Sequence, residues 1–116
     1  MNTDIIFYGL KTCDTCRKAQ KELCAADIEF EAIDVRADGV SAEKLRDWTG
    51  KTDWKKLLNT RSTTWRNLDA HDKENVDATK AIALMAANPT LIKRPVIELD
   101  GDVLVGWAAD VKAKLF

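Results

Sequence analysis

Ile5-Ile6-Phe7-Tyr8-Gly9-Leu10-Lys11-Thr12-Cys13-Asp14-Thr15-Cys16-Arg17-Lys18-Ala19 opens on four β-branched and aromatic residues, halts at a glycine and carries a Cys-x-x-Cys pair into a charged stretch. Four such residues are too few for a helix and suit a buried strand. From Asp14 to about Asp27 the small and apolar residues Cys16, Ala19, Leu23 and Ala26 recur at three- and four-residue spacing, the stripe of an amphipathic helix. The two thiols therefore straddle a strand-to-helix junction. A second short strand is predicted over Glu29 to Val35, with Phe30, Ile33 and Val35 as its apolar members and Asp38-Gly39 as the turn after it. Strand, helix and strand at this spacing make a βαβ unit with parallel strands.

Beyond that unit, Ser41 is placed to cap a helix that buries Leu45 and Trp48 and stops at Gly50, although Lys44 stands where a capping-box Glu would be. Residues 51–88 read as mainly helical, with Trp54, Leu57 and Leu58 in one patch and an Ala-rich helix from about Asp77 to Ala87 that ends at Asn88-Pro89. After Pro95, Val96-Ile97-Glu98-Leu99 and Val103-Leu104-Val105 flank Asp100-Gly101-Asp102, a hairpin signature. A short helix from about Ala108 to Leu115 closes the chain. If strands from both ends share one sheet, this order is a thioredoxin-like α/β fold. It would be a mixed four-stranded sheet with a helical insertion at about 41–88, in one domain spanning residues 1–116.

Composition sets the outer bounds. The 116 residues carry 18 Lys and Arg against 19 Asp and Glu, a net charge of −1, which lacks the electrostatic footprint of a nucleic-acid binder. The longest apolar run, Ala81 to Ala87, is too short to span a bilayer, and Met1-Asn2-Thr3-Asp4 has no basic start. Neither membrane nor nucleic acid is an expected partner, and a cytoplasmic location is expected. Three cysteines without a signal argue against an extracellular disulfide framework.

Reactive thiols, packed thiols and half a zinc site remain as readings of Cys13 and Cys16. Zinc lacks ligands, because no second Cys-x-x-Cys exists and His71 with Cys24 is a poor complement, so no metal site is expected. A sulfur in the first turn of a helix lies near unpaired N–H groups and the positive end of the helix dipole, which favour thiolate, the nucleophilic form. Lys11 and Arg17 add positive charge and Asp14 opposes them, so the pKa of Cys13 is expected to fall below that of a free thiol. Cys16, three residues on, is close enough to act as a resolving thiol. Cys24 is eight residues past Cys16, about 12 Å along the axis, beyond disulfide reach, and is expected to be a packed helix residue.

Two further blocks draw attention. Lys93-Arg94-Pro95 precedes a predicted strand, where Pro is tolerated and a cis bond is possible. In a thioredoxin-like fold that loop faces the reactive cysteine, so Arg94 is either a planar fork for a carboxylate or oxyanion, or a solvated surface residue. Asn59-Thr60-Arg61-Ser62-Thr63-Thr64-Trp65-Arg66 would cap a helix and fill a turn, or line an anion site. Trp54, Trp65 and Trp107 suit core or half-buried packing, and His71 a solvated helix start.

Tyr8 to Ala19, Leu57-Leu58-Asn59-Thr60-Arg61-Ser62-Thr63-Thr64-Trp65 and Ile92-Lys93-Arg94-Pro95, in this order, resemble the arsenate reductase (ArsC) and Spx family, in particular its YffB-like subgroup. The resemblance implies a thioredoxin-like fold, a catalytic cysteine at Cys13 and a cis-proline at Pro95. Arsenate reductases imply three arginines around the oxyanion. Arg94 matches one, Asn59 stands where another would fall with Arg61 two residues on, and Val105-Gly106-Trp107 supplies none. A missing charge-assisted donor costs orders of magnitude in rate, which weighs against arsenate reduction. Spx-like regulators imply a Cys13–Cys16 redox switch and docking onto RNA polymerase.

The YffB-like subgroup implies a glutathione-dependent thiol reductase, and that is the activity expected. Cys13 would be the nucleophile, and Cys16 or a second glutathione would resolve the mixed disulfide. Arg94, Arg61 and Lys11 would bind the glutathione carboxylates, with Pro95 shaping the wall opposite Cys13. Glutathione is then a co-substrate, a small-molecule or protein disulfide the substrate, and no tightly bound cofactor is expected.

Overall fold

The computed structural model describes residues 5–116, so Met1-Asn2-Thr3-Asp4, which bore on the expected location, lies outside the described residues. In chain order the elements are β1 (Ile5–Gly9), α1 (Asp14–Ala25), β2 (Glu31–Asp34), α2 (Val35–Asp38), α3 (Ala42–Thr49), α4 (Trp54–Leu57), α5 (Thr63–Arg66), α6 (Ala70–Lys73), α7 (Ala78–Ala87), β3 (Val96–Leu99), β4 (Asp102–Val105) and α8 (Ala109–Leu115). They fall into two compact units, residues 5–37 with Arg94–Phe116, and Asp38–Lys93.

The first unit is a four-stranded sheet in the order β2-β1-β3-β4. β1 runs parallel to β2 and antiparallel to β3, and β3 runs antiparallel to β4, the mixed sheet of a thioredoxin-like fold. Phe7 lies opposite Ile97, and Ile97 opposite Leu104, so one face presents a row of large apolar side chains. Onto that row pack Cys16, Ala19 and Leu23 of α1 and Val111 of α8. The β3–β4 turn follows the expected chemistry, with Asp100 (φ 47°) and Gly101 (φ 90°) both left-handed as a two-residue turn between antiparallel strands requires. α8 is fastened to α1 by polar groups: the Trp107 indole N–H donates to Glu22, Lys112 pairs with the other oxygen of that carboxylate at 3.4 Å and lies over the Trp107 ring, and Phe116 meets the ring edge-on.

Three boundaries differ from the sequence reading. α1 stops at Ala25 and leaves Ala26 an exposed C-cap, because Asp27 turns left-handed (φ 58°) and the Ile28 N–H returns to the Leu23 carbonyl. Cys24 is exposed rather than packed. β2 is only Glu31–Asp34. Phe30 instead packs its ring on Phe7 ahead of the strand, and Val35 enters a helical turn because the Asp34 carboxylate accepts the N–H groups of Arg36 (2.8 Å) and Ala37 (3.0 Å).

In the second unit Ser41 caps α3 through the Lys44 N–H, and the fully buried Leu45 and Trp48 face α7, which contributes Ala81, Ile82 and Met85. The expected helical stretch between them is broken into single turns. α4 starts at the Asp53 carboxylate and α5 at the Ser62 hydroxyl. After α4 the chain straightens at Leu58-Asn59: Leu58 bridges to Ile92, the Asn59 N–H donates to the Leu91 carbonyl at 2.8 Å, and the Lys93 N–H to the Leu57 carbonyl at 2.7 Å. Leu57, Leu58, Leu91 and Ile92 are thereby buried, whereas Trp54 and Trp65 are half-buried, each under a lysine ammonium, and His71 is exposed.

Candidate active site

β1 ends at a glycine for a steric reason. A Cβ on Gly9 would stand 2.8 Å from both the Cys16 sulfur and the Phe7 ring, closer than carbon atoms tolerate. The chain then turns, with the Cys13 N–H donating to the Leu10 carbonyl at 3.2 Å, and enters α1. Cys13 is the N-cap residue, one position ahead of the expected first turn, with extended backbone (φ −87°, ψ 119°). That position sets the Cys13 sulfur beside the amides of the first turn, although it closes no side-chain cap hydrogen bond with them.

Cys13 is half-buried and Cys16, at 1% exposure, is sealed inside. Burial alone would raise both thiols. For Cys13 that penalty is outweighed by the backbone N–H of Cys16, the thiol hydrogen of Cys16, the guanidinium of Arg94 and the N–H of Thr15, and its pKa falls below 9.0. For Cys16 burial wins: the backbone of Leu10 and the charge of Arg94 oppose it, the negative sulfur of Cys13 reinforces it, and the pKa rises to about 12. The pair titrates as a unit in which Cys13 gives up the first proton and Cys16 keeps the second.

The cation with the largest effect on Cys13 is Arg94. Arg17 is turned elsewhere: its Nε donates to the Lys11 carbonyl at 2.8 Å and its Nη1 lies 3.8 Å from Asp14. Lys11 is exposed and, with Arg17, Gln20 and Asp34, borders a cleft of about 230 Å³ on the β2 side of the loop. The Arg94–Pro95 bond is cis, Pro95 is buried, and its carbonyl accepts the Gly106 N–H at 2.8 Å.

Cys13, Cys16, Lys11, Arg94 and Pro95 all belong to the first unit, and Arg61 to the second. Arg61 is exposed at a tight turn in which its N–H and the Ser62 hydroxyl both donate to Asn59. Asn59, at the position of an arsenate-reductase arginine, is occupied in forming that turn. Among the described residues no group of three or more His, Cys, Asp or Glu is placed to hold a metal ion. Among the described residues no helix is long and apolar enough to cross a membrane.

Sequence reasoning missed two contributors, Gly9 and Asp34. The Gly9 contact is between residues seven apart and had no local signal. Asp34 had one, an aspartate directly before a helical turn, which is a preferred cap.

Comparison with known proteins agrees with the residue blocks. The ArsC family matches over residues 8–115. An uncharacterized protein of Haemophilus influenzae is 47% identical over 103 residues, covering 89% of this chain and 90% of that protein. The global transcriptional regulator Spx of Lactiplantibacillus plantarum is 25% identical over 108 residues, covering 91% of this chain and 81% of the regulator. The solved structure of a YffB protein superposes with a TM-score of 0.91 at 41% identity, over 96% of this chain and 97% of that one.

Proposed function

Because this chain belongs to the ArsC family, we propose that it is a glutathione-dependent thiol–disulfide oxidoreductase of the reducing cytoplasm, with Cys13 as its nucleophile. The supporting observation is the division of labour between the thiols: an accessible Cys13 favoured as thiolate, over a sealed Cys16 held as thiol. The Cys13 thiolate attacks the glutathionyl sulfur of a mixed disulfide. The old S–S bond breaks, the substrate leaves as thiolate and takes a proton, and a Cys13–glutathione disulfide remains. A second glutathione thiolate attacks that adduct, releasing oxidised glutathione and restoring Cys13. In the dithiol variant Cys16 attacks instead, releasing reduced glutathione and leaving a Cys13–Cys16 disulfide. Arg94 and Lys11 are the cations assigned to the glutathione carboxylates, and cis-Pro95 the wall of the peptide groove.

A second reading draws on the Spx relatives and on the mutual influence of Cys13 and Cys16 on each other's titration, two thiols three residues apart at one helix start. In it the Cys13–Cys16 disulfide switches a surface that docks RNA polymerase. Arsenate reduction is disfavoured, since only Arg94 of the implied arginine set stands at a matching position.

The test is intact mass and peptide mapping after brief exposure of the reduced protein to oxidised glutathione. Glutathione on Cys13 is expected. An internal disulfide without an adduct would favour the switch, and no modification would overturn both readings.

Arg94→Ala supplies an independent check. Losing one charge-assisted carboxylate contact costs about 1.5 kcal/mol, so KM for glutathione is expected to rise about tenfold. Alkylation of Cys13 by a neutral reagent should slow by less, because only one of four thiolate-favouring groups is removed. An unchanged KM would take Arg94 out of the site.

A further inference from the structure

We propose that Arg17 and Asp34 are positioning residues for Cys13, acting by clamping the Lys11 backbone through the two peptide units that flank its Cα. Lys11 follows Leu10 in the turn that delivers Cys13 to the helix, and the Cys13 N–H closes that turn on the Leu10 carbonyl. Both main-chain polar groups of Lys11 are engaged. Its N–H donates to Asp34 Oδ2 at 3.3 Å, and its carbonyl accepts from Arg17 Nε at 2.8 Å.

Each clamping residue is itself anchored. The Arg17 backbone N–H donates to the Cys13 carbonyl at 3.0 Å, so one residue holds the turn before the nucleophile through its side chain and the nucleophile through its main chain. The Asp34 carboxylate accepts the Arg36 and Ala37 N–H groups on its other oxygen, which ties the turn to the end of β2 and the start of α2. These N–H groups, Ala37 foremost, hold the carboxyl below its ordinary pKa despite the opposing effect of burial, so Asp34 stays ionised wherever Cys13 titrates.

The clamp matters because thiolate stabilisation by backbone amides depends on where the sulfur sits. The N–H groups of Cys16 and Thr15 are fixed by α1, whereas Cys13 enters from a turn whose central residues, Lys11 and Thr12, are exposed. The charge that most favours the Cys13 thiolate is that of Arg94, outside the clamp, and Arg17 Nη1 lies 3.8 Å from Asp14, so replacing Arg17 by a neutral donor isolates its hydrogen bond from its charge. A mechanical role is therefore separable from an electrostatic one.

The inference rests on Cys13 being the nucleophile. Its test needs no turnover: the rate of Cys13 alkylation against pH, in the full chain with Cys24 replaced by Ser. Arg17→Ala and Asp34→Asn are expected to move the midpoint upward and slow alkylation at pH 6.5 about fivefold, as the thiolate fraction falls. Arg17→Gln is the deciding variant. Its amide nitrogen occupies the place of Nε, donates to the same carbonyl and carries no charge, so it should keep the wild-type profile. An unmoved midpoint in Arg17→Ala, or equal shifts in Arg17→Ala and Arg17→Gln, would overturn the clamp. Arg17 is exposed, so its variants keep the fold even where Asp34→Asn does not. An ordinary thiol midpoint in the wild type would instead overturn the reading of Cys13 as an activated nucleophile.

Discussion

Cys13→Ser is expected to reduce thiol–disulfide turnover by about a thousandfold or more, to the background of the assay, while leaving the melting temperature nearly unchanged. Serine differs from cysteine by one atom, and Cys13 is half-buried at a helix N-cap, where a hydroxyl is as good a cap as any. Its alkoxide is inaccessible near neutral pH, so the amides that favour a thiolate have nothing to act on. Cys16→Ser separates the two ways of resolving the mixed disulfide. If glutathione resolves it, turnover survives within a few-fold, because the Cys16 backbone N–H that favours the Cys13 thiolate is kept and serine also carries a donor. If Cys16 resolves it, turnover stops and the Cys13–glutathione adduct accumulates in the mass spectrum. Retained turnover in Cys13→Ser would remove that residue from the centre of the mechanism.

The second large effect is on stability. Gly9→Ala is expected to cost about 1–3 kcal/mol, as over-packing of a dense core does, read as a lower denaturant midpoint at unchanged slope. The added methyl would meet the Cys16 sulfur and the Phe7 ring, each at 2.8 Å. Neither neighbour yields readily. Cys16 is held in the first turn of α1, and Phe7 is fully buried opposite Ile97. Gly9→Ala with Cys16→Ala should recover part of the loss by removing one clash and leaving the other. Full stability in the single variant would show that α1 is free to shift away from the sheet. Any such shift would also displace Cys13, so the single variant should lose reactivity along with stability.

What the sequence disclosed is local. The β1 run, the Asp100-Gly101 turn, the Ser41 cap and the Leu45 and Trp48 pair each lie within one element or turn, where neighbouring residues dictate the outcome. Cys24 shows how even a local signal is misread: it follows Leu23 by one residue, about 100° around the helix and off the apolar stripe, yet the general tendency of cysteine to be buried pointed inward. Other features required knowing which distant segments meet. The pairing of residues 57–59 with 91–93 has no signature in either stretch and interrupts an otherwise helical pattern. Within the site, the Cys-x-x-Cys pair and Arg94-Pro95 were legible from residue type and spacing. The lower pKa of Cys13 was legible in direction, whereas its main cationic contribution comes from a segment distant in sequence, Arg94, which leads into the strand paired with β1.

The fastening of α8 to α1 has a spectroscopic consequence. Of the four tryptophans, Trp107 alone belongs to the unit that holds Cys13, while Trp48, Trp54 and Trp65 belong to the other. Its indole N–H is bound to a carboxylate and its ring lies beneath an ammonium group. The emission colour of Trp107 therefore depends on that contact, and a chain carrying phenylalanine at the two half-buried positions 54 and 65 retains one fluorophore sealed in the insertion and one beside α1. Each half of the molecule then reports its own unfolding by light.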